Sequence, residues 1–356
     1  MKIANRELAD HKTCNVMRKN LRVVVIFAFL ICFRAPGAET NDVAARLHSL
    51  EEGFGQLDAK LSRQMNELLW RQKLQDIAIV DKVNFTGPPP RGTNGITPPP
   101  GSNDVVISAL TFVPRGKWRT HKLPLIVLAH PEIHGNVASD DFAIVVRELV
   151  QHHYAVIAPD YRGSSGYGIE FWRTIDYGGL EIEDVHAARK FMLETHSEID
   201  PKRVGIVGWS HGGLIALLEV FAHPQDYQVC YAGVPVSDLE ERIKIKGKGY
   251  EELFSAPYHI GKTVAEAPEE YRRRSPTKNV NKLRTPLLVH ANTNDEDVNI
   301  HEIQKLIDAL QTARKDFKYH IYTNAPGGHL FNRLDTNLAR ESREEIWEFL
   351  RRYLRP

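Results

Sequence analysis

The texture of the chain changes twice along its length. Between residues 41 and 80, apolar residues recur at Val43, Leu47, Leu50, Phe54, Leu57, Leu61, Met65 and Leu68. Their alternating steps of four and three lay one stripe along a helix, close to a heptad seam. Such a stripe fits an oligomerising helix and a brace docked on a domain equally well. Gly53 and Gly55 interrupt it, which favours two packed helices over one long one, because glycine weakens a helix interior. A helical extension is therefore expected over residues 39–86. Gly87-Pro88-Pro89-Pro90 and Pro98-Pro99-Pro100-Gly101 then bracket a stretch without periodicity, and residues 87–104 read as a stiff, exposed linker.

From Val105 onward, strand-length apolar runs alternate with amphipathic segments. Strands are predicted at Val105–Val113, Leu125–Ala129, Tyr154–Ala158, Val204–Gly208, Cys230–Val236, Pro286–His290 and Tyr319–Tyr322. Helices are predicted at Asp140–His152, Ile182–Glu194, Gly213–Ala222, Ile300–Arg314 and Arg340–Tyr353. That alternation implies an α/β domain over residues 105–356, built on a doubly wound, mostly parallel sheet. Residues 238–280 break the rhythm with charge and glycine and read as an insertion over the strand ends, with a lid as one use. No internal repeat is visible.

Length and charge narrow the picture further. At 356 residues and 42% hydrophobic content, the chain suffices for one large α/β domain with roughly 100 residues left over. The net charge of +1, with both signs interspersed, offers no basic stripe to a nucleic acid. The uninterrupted apolar run Val23–Phe33 follows Arg18, Lys19 and Arg22 and precedes the small residues Ala35-Pro36-Gly37-Ala38, as in a secretory signal peptide. At 1.5 Å per residue the run reaches about 17 Å, short of a bilayer core of about 30 Å. Residues 1–38 are thus expected to be a signal peptide, with translation starting at Met17 as one reading; Arg34 directly after the run keeps an uncleaved anchor as the alternative. Ile31 before Cys32 argues against a lipoprotein. A secreted or periplasmic location follows. Cleavage near Ala38 removes Cys14 and Cys32, leaving Cys230 in an apolar run as a core residue and no intrachain disulfide.

Candidate chemistry centres on Gly208-Trp209-Ser210-His211-Gly212-Gly213, set between the strand-like Val204–Val207 and the helix-like Leu214–Phe221. In that context Gly-x-Ser-x-Gly reads as a nucleophile elbow, with the His211 backbone N–H as an oxyanion donor. A serine hydroxyl needs a histidine to take its proton and a carboxylate to hold that imidazole in the right tautomer. The strand Pro286–His290 opens into Ala291-Asn292-Thr293-Asn294-Asp295-Glu296-Asp297-Val298, and His329 follows on a Gly-rich loop, 34 residues beyond Asp295. Serine, acid and histidine stand in the chain order that this arrangement requires. The His211 side chain lies too close in sequence to Ser210 to act as the base; it shapes the acyl pocket or simply packs.

At these residues the chain resembles the catalytic domain of the prolyl oligopeptidase family of serine peptidases, and more loosely dienelactone hydrolases and related esterases. The resemblance covers roughly residues 105–356. It rests on Tyr161-Arg162-Gly163-Ser164-Ser165-Gly166-Tyr167-Gly168, the elbow, Ser275-Pro276 ahead of Thr285-Pro286-Leu287-Leu288-Val289-His290, and Gly328-His329 with Phe331. It implies an α/β-hydrolase fold and a Ser210, Asp295, His329 triad. The acid is assigned by counting back from Val298, with Asp297 as the alternative. The family often carries His-Gly-Gly-Pro after the first core strand, near a second oxyanion donor. Here His130-Pro131-Glu132-Ile133-His134-Gly135 stands in its place, so that donor is assigned only to the loop. Peptidases of the family usually carry a β-propeller as well, and the roughly 66 residues between Ala38 and Val105 cannot make one. An open site is therefore expected.

Two further motifs have weaker readings. His130 and His134 with Glu132 invite zinc, but Pro131 and the strand exit deny them the helical spacing that zinc peptidases need. Arg162 is a structural ion-pair partner or a clamp for a substrate carboxylate. The sequence thus predicts a serine hydrolase, without metal or cofactor, acting on peptide or amide bonds through an acyl-enzyme. Carboxylic ester hydrolysis is the alternative, and a non-catalytic binding protein on a hydrolase scaffold the remote one. The expected partners are a small peptide or ester substrate and, through residues 41–80, a second copy of the chain.

Overall fold

The computed structural model describes residues 40–91, 103–116, 122–138 and 142–356. The signal or anchor segment and the second proline cluster lie outside the described residues. The chain divides into two units at Gly55 and Gln56, inside a helix that runs unbroken from Thr40 to Leu74. The expected interruption at Gly53 and Gly55 is therefore absent. Each glycine costs a helix only about 1 kcal/mol, too little to break a run otherwise made of good helix formers. In the first unit Val43, Leu47, Leu50 and Phe54 are all exposed.

In the second unit the end of this helix is anchored. Trp70 is fully buried against Phe112, with ring centroids 5.2 Å apart, and its indole N–H donates to the Ala138 carbonyl at 3.1 Å. Arg63 donates from Nε to the Gly166 carbonyl at 3.2 Å. The helical extension expected to reach residue 86 instead stops at Leu74 and gives way to a strand, β1, over Ala78–Gly87. The segment Ala-Ile-Val-Asp-Lys-Val-Asn-Phe-Thr is rich in β-branched and aromatic residues, and it pairs antiparallel along β2, Val105–Pro114, from Ala78 opposite Pro114 to Gly87 opposite Val105.

The remaining strands are β3 (Leu123–Ala129), β4 (Ala155–Asp160), β5 (Ile199–Trp209), β6 (Val229–Gly233), β7 (Leu287–Asn292) and β8 (Phe317–Tyr322). They form one sheet in the order β1-β2-β4-β3-β5-β6-β7-β8. β2 pairs antiparallel with β4, and from β4 to β8 every pairing is parallel. β3, β4, β6 and β7 are buried along their whole length, as expected of parallel strands covered by helices on both faces. The helices Leu180–Thr195, His211–Ala222 and Ile300–Thr312 bury apolar side chains in one core cluster, and Ala143–Gln151 and Asn337–Leu354 in the other. Residues 238–280, read as an insertion, form the short helices Leu239–Lys246, Lys248–Ser255, Pro268–Arg273 and Pro276–Asn279 between β6 and β7. Cys230 is a free, buried thiol that desolvation pushes far above its ordinary range.

The start of the proline-rich linker is not the free spacer that its composition suggests. The fully buried Arg162 guanidinium donates to the Pro88 carbonyl at 2.8 Å and forms a two-pronged pair with Asp184 at 2.7 and 2.8 Å. Arg162 is therefore a structural ion-pair partner that ties the chain after β1 to the domain. Among the described residues no helix is long and apolar enough to cross a membrane.

Candidate active site

β5 is central in the sheet, and Ser210 follows its last residue directly. The serine has φ +54° and ψ −120°, a strained conformation for an L residue that holds its side chain out of the strand-to-helix turn. The glycines around it are dictated by contact. A Cβ on Gly208 would lie 2.1 Å from the Gly212 carbonyl oxygen, and one on Gly212 would lie 2.2 Å from the Ala129 carbonyl oxygen. Backbone hydrogen bonds hold the turn in place: Ser210 N–H donates to Gly233 O at 2.9 Å, and Leu214 N–H to Ser210 O at 3.0 Å.

The acid and the histidine come from the two strands that continue the sheet beyond β6. Asp295 lies on the loop after β7; its Oδ1 accepts the N–H groups of Asp297 and Val298, each at 2.8 Å. Its Oδ2 lies 2.7 Å from Nδ1 of His329, on the loop after β8. Because the carboxylate accepts at Nδ1, the neutral imidazole carries its proton there and leaves Nε2 as a lone pair. Asp297 also approaches the ring, but from the other side, with Oδ2 3.6 Å from Nε2. Its carboxylate is held mainly by Arg242, whose Nη2 donates to Oδ1 at 2.7 Å. Burial would raise the Asp297 carboxyl, but Arg242 and His329 outweigh it and lower it. Among the described residues no hydrogen bond joins Ser210 to His329.

The His211 amide donates to the Pro131 carbonyl at 3.2 Å, so the loop expected to supply a second oxyanion donor rests directly on the elbow. His130 and His134 are not poised as a metal pair. His130 Nε2 engages Ser164 Oγ at 2.9 Å while its ring stacks on Tyr161; His134 Nδ1 donates to the Gly163 carbonyl at 2.8 Å while its ring stacks on Trp172.

Two asparagines that sequence reasoning passed over position the site. Asn292, at the end of β7, donates to the carbonyls of Ala325 at 3.1 Å and Gly328 at 2.9 Å and accepts from Ala325 N–H at 3.0 Å. It thereby clamps the loop that carries His329 to the strand that leads to Asp295. Asn332 accepts from the Trp209 indole at 3.0 Å and donates to Tyr231 Oη at 2.8 Å, tying the segment after His329 to the elbow. An asparagine ending a buried strand is the one local signal that could have flagged Asn292.

A strained serine after the central strand, with an Asp–His pair on the loops of two later strands, defines an α/β hydrolase. A family model described as the prolyl oligopeptidase family matches residues 141–356, more than half of the chain, and the chain belongs to that family. It is 29% identical over 207 residues to the uncharacterized peptidase YuxL of Bacillus subtilis, covering 57% of this chain and 30% of the relative. It is 24% identical over 248 residues to the acylamino-acid-releasing enzyme of Mus musculus, covering 65% and 33%. The chain therefore spans about a third of the length of these relatives. An acylaminoacyl peptidase structure superposes with a TM-score of 0.64 at 17% identity, over 78% of this chain and 42% of that one. A puromycin hydrolase does so at 0.58 and 22%, over 73% and 38%. Both show the same fold.

Proposed function

We propose that this chain is a serine peptidase acting by two-step acyl transfer. Ser210 Oγ attacks the scissile carbonyl. His329 Nε2 takes the serine proton and later gives it to the leaving amine, while Asp295 holds the ring through Nδ1. The oxyanion takes the His211 amide, displacing its contact with Pro131, and a second donor comes from the loop His130 to Gly135. The observation that carries this reading is the 2.7 Å contact between Asp295 and His329, in a fold whose central strand ends on a strained serine. The Ser210–His329 bond forms when substrate binds, as catalytic hydrogen bonds commonly tighten in the Michaelis complex. Peptide bonds are preferred over esters as the natural substrate because the relatives are named as peptidases and an acylamino-acid-releasing enzyme. Activated esters need less leaving-group protonation than amides, so ester turnover alone does not separate the two. A panel of aminoacyl and short peptide amides does. A kcat/KM of about 10⁴ M⁻¹s⁻¹ or more on an amide supports the peptidase; failure on all amides with esters cleaved at that efficiency replaces it with a carboxylic ester hydrolase.

The chain acts outside the cytoplasm if Val23–Phe33 serves as a signal, and size analysis of the secreted product tests its removal. The exposed residues Leu47, Leu50, Phe54, Leu57, Leu61 and Leu68 follow the heptad seam. An apolar stripe of that length is unfavourable in water, and a second copy of the same helix buries it.

A further inference from the structure

A second group of imidazoles and carboxylates lies at the far end of the elbow helix. That helix, His211–Ala222, has 12 residues, so its end stands about 18 Å from Ser210 at 1.5 Å per residue. The turn after it, His223-Pro224-Gln225-Asp226, is closed by the Asp226 N–H donating to the His223 carbonyl at 3.1 Å. Both side chains thereby meet His186 of the neighbouring helix Leu180–Thr195. His186, His223 and Asp226 each offer a ligand atom, and these atoms all lie within 4.8 Å of one another.

Glu219 fixes how His186 is presented. Its Oε1 lies 2.7 Å from His186 Nδ1 and accepts the Tyr227 hydroxyl at 2.9 Å. With Nδ1 carrying the hydrogen of that bond, the neutral ring turns its Nε2 lone pair towards Asp226. Nε2 lies 3.5 Å from Asp226 Oδ2, beyond the range of about 2.7–3.2 Å for an N–H···O bond. A tetrahedral zinc with bonds of about 2.0–2.1 Å holds its ligand atoms about 3.4 Å apart. The spacing therefore matches an ion shared by the two atoms better than a shared proton. A carboxylate on the far nitrogen of a histidine is also the usual arrangement at zinc, because it orients the ring and makes the other nitrogen a stronger ligand.

Charge points the same way. Glu183, Glu219 and Asp226 bring three carboxylates to the two rings, and Arg189 sets one guanidinium against them, with Nη2 3.1 Å from Asp226 Oδ1. That pair occupies Oδ1 and leaves Oδ2 towards the imidazoles. Glu219 is fully buried and its Oε2 has no hydrogen-bond partner; burial raises its carboxyl, against the pull of His186. An ion on Nε2 polarises the ring and strengthens the Nδ1–H bond that offsets this cost.

His223 completes the set. Its ring stacks on His186 with centroids 3.7 Å apart and planes 18° from parallel, so it turns out of the stack to aim a nitrogen at the same ion. Its side chain is 25% exposed and stands at a helix end, where such a turn meets little resistance. Two imidazoles and one carboxylate select zinc over magnesium and calcium, which take oxygen ligands, and the fourth position falls to water.

We propose that His186, His223 and Asp226 bind one zinc ion, and that this ion fastens the end of the elbow helix to the helix Leu180–Thr195. So far from Ser210, it takes no part in acyl transfer. The inference stands independently of the peptidase reading.

The test is zinc binding to the full chain, produced without a polyhistidine tag and stripped with EDTA, by calorimetry and thermal unfolding. One zinc site per chain with a Kd tighter than about 10 μM is expected. Tm should rise by a few degrees at free zinc about 100-fold above Kd, and magnesium should give neither effect. His223→Ala and Asp226→Asn should each weaken the site by about 100-fold or more and abolish the Tm rise. His301→Ala, which removes an exposed histidine on another helix, should change neither. In the unaltered chain, zinc should also protect His223 from diethyl pyrocarbonate, read by peptide mass spectrometry, so the assignment does not depend on how the variants fold. Zinc binding weaker than about 10 μM, affinity and Tm rise that survive in both ligand variants, or an unprotected His223 overturns the proposal.

Discussion

His329 Nδ1 lies 2.7 Å from Asp295 Oδ2, and that single contact decides which of two neighbouring carboxylates orients the imidazole. Asp297 faces Nε2 instead, at 3.6 Å, and is committed to Arg242. Asp295→Asn is therefore expected to lower kcat by about 10⁴, through loss of the correct tautomer. Asp297→Asn should lower it by less than about tenfold. Steady-state kinetics of the two variants check this, and the reverse ranking transfers the role to Asp297.

Ser210→Ala removes the proposed nucleophile from its strained turn. Loss of about 10⁶ in kcat is expected, with Tm unchanged or raised because alanine leaves the backbone hydrogen bonds to Gly233 and Leu214 in place. Residual turnover above a few per cent would identify a different nucleophile.

Asn292 touches no reacting atom and acts through the loop that it clamps. Asn292→Ala removes two donors and one acceptor, freeing the loop that positions His329. A displacement of about 1 Å in such a group costs about 10²-fold. The expected loss is in kcat with KM little changed, while fluorophosphonate labelling slows in parallel. A variant that loses stability but keeps kcat would reduce Asn292 to a purely structural role.

Two buried histidines, His130 and His259, and the half-buried His134 link stability to pH. Burial is the main cause holding His130 at about 3, His134 at about 4 and His259 at about 3, against about 6.5 when unfolded. As pH falls below about 6.5 the unfolded chain takes up protons that the native state refuses, so stability declines towards about pH 4. Each histidine contributes up to about 1.4 kcal/mol per pH unit. Asp160, raised by burial to about 6, works in the opposite direction over part of that range. A comparison of variants cancels it: denaturant unfolding of His259→Phe between about pH 6 and 4 should have a slope shallower by about 1.4 kcal/mol per unit. Equal slopes would mean that His259 is not held neutral.

The exposed heptad stripe predicts self-association. Leu50 and Leu57 are 59% and 50% exposed, and Leu50→Asp with Leu57→Asp should convert a dimer to a monomer in light scattering without loss of turnover on small esters. A monomeric unaltered chain would contradict pairing through this helix.

Much of the fold was legible in the sequence because it rests on local rules. The alternation of apolar strands and amphipathic helices after Val105 needs only periodicity, and each predicted strand overlaps an observed one. The elbow could be read because its glycines answer contacts within a few residues, such as Gly208 against the Gly212 carbonyl. Asp295 and His329 could be named because chain order and strand ends are properties of the sequence, although their 2.7 Å contact is not.

Tertiary structure decided the rest. β1 was misread as helix because its segment follows a helical stripe, and only antiparallel pairing along β2 makes it a strand. Arg162 reads in the sequence as an ion-pair partner first and a substrate clamp second; Asp184 and the Pro88 carbonyl, 22 and 74 residues away, make it a structural anchor. Asn292 stayed invisible for the same reason. Its partners lie more than thirty residues along the chain. Periodicity reports which face of an element is buried, whereas the identity of the group it is buried against is set by packing between elements.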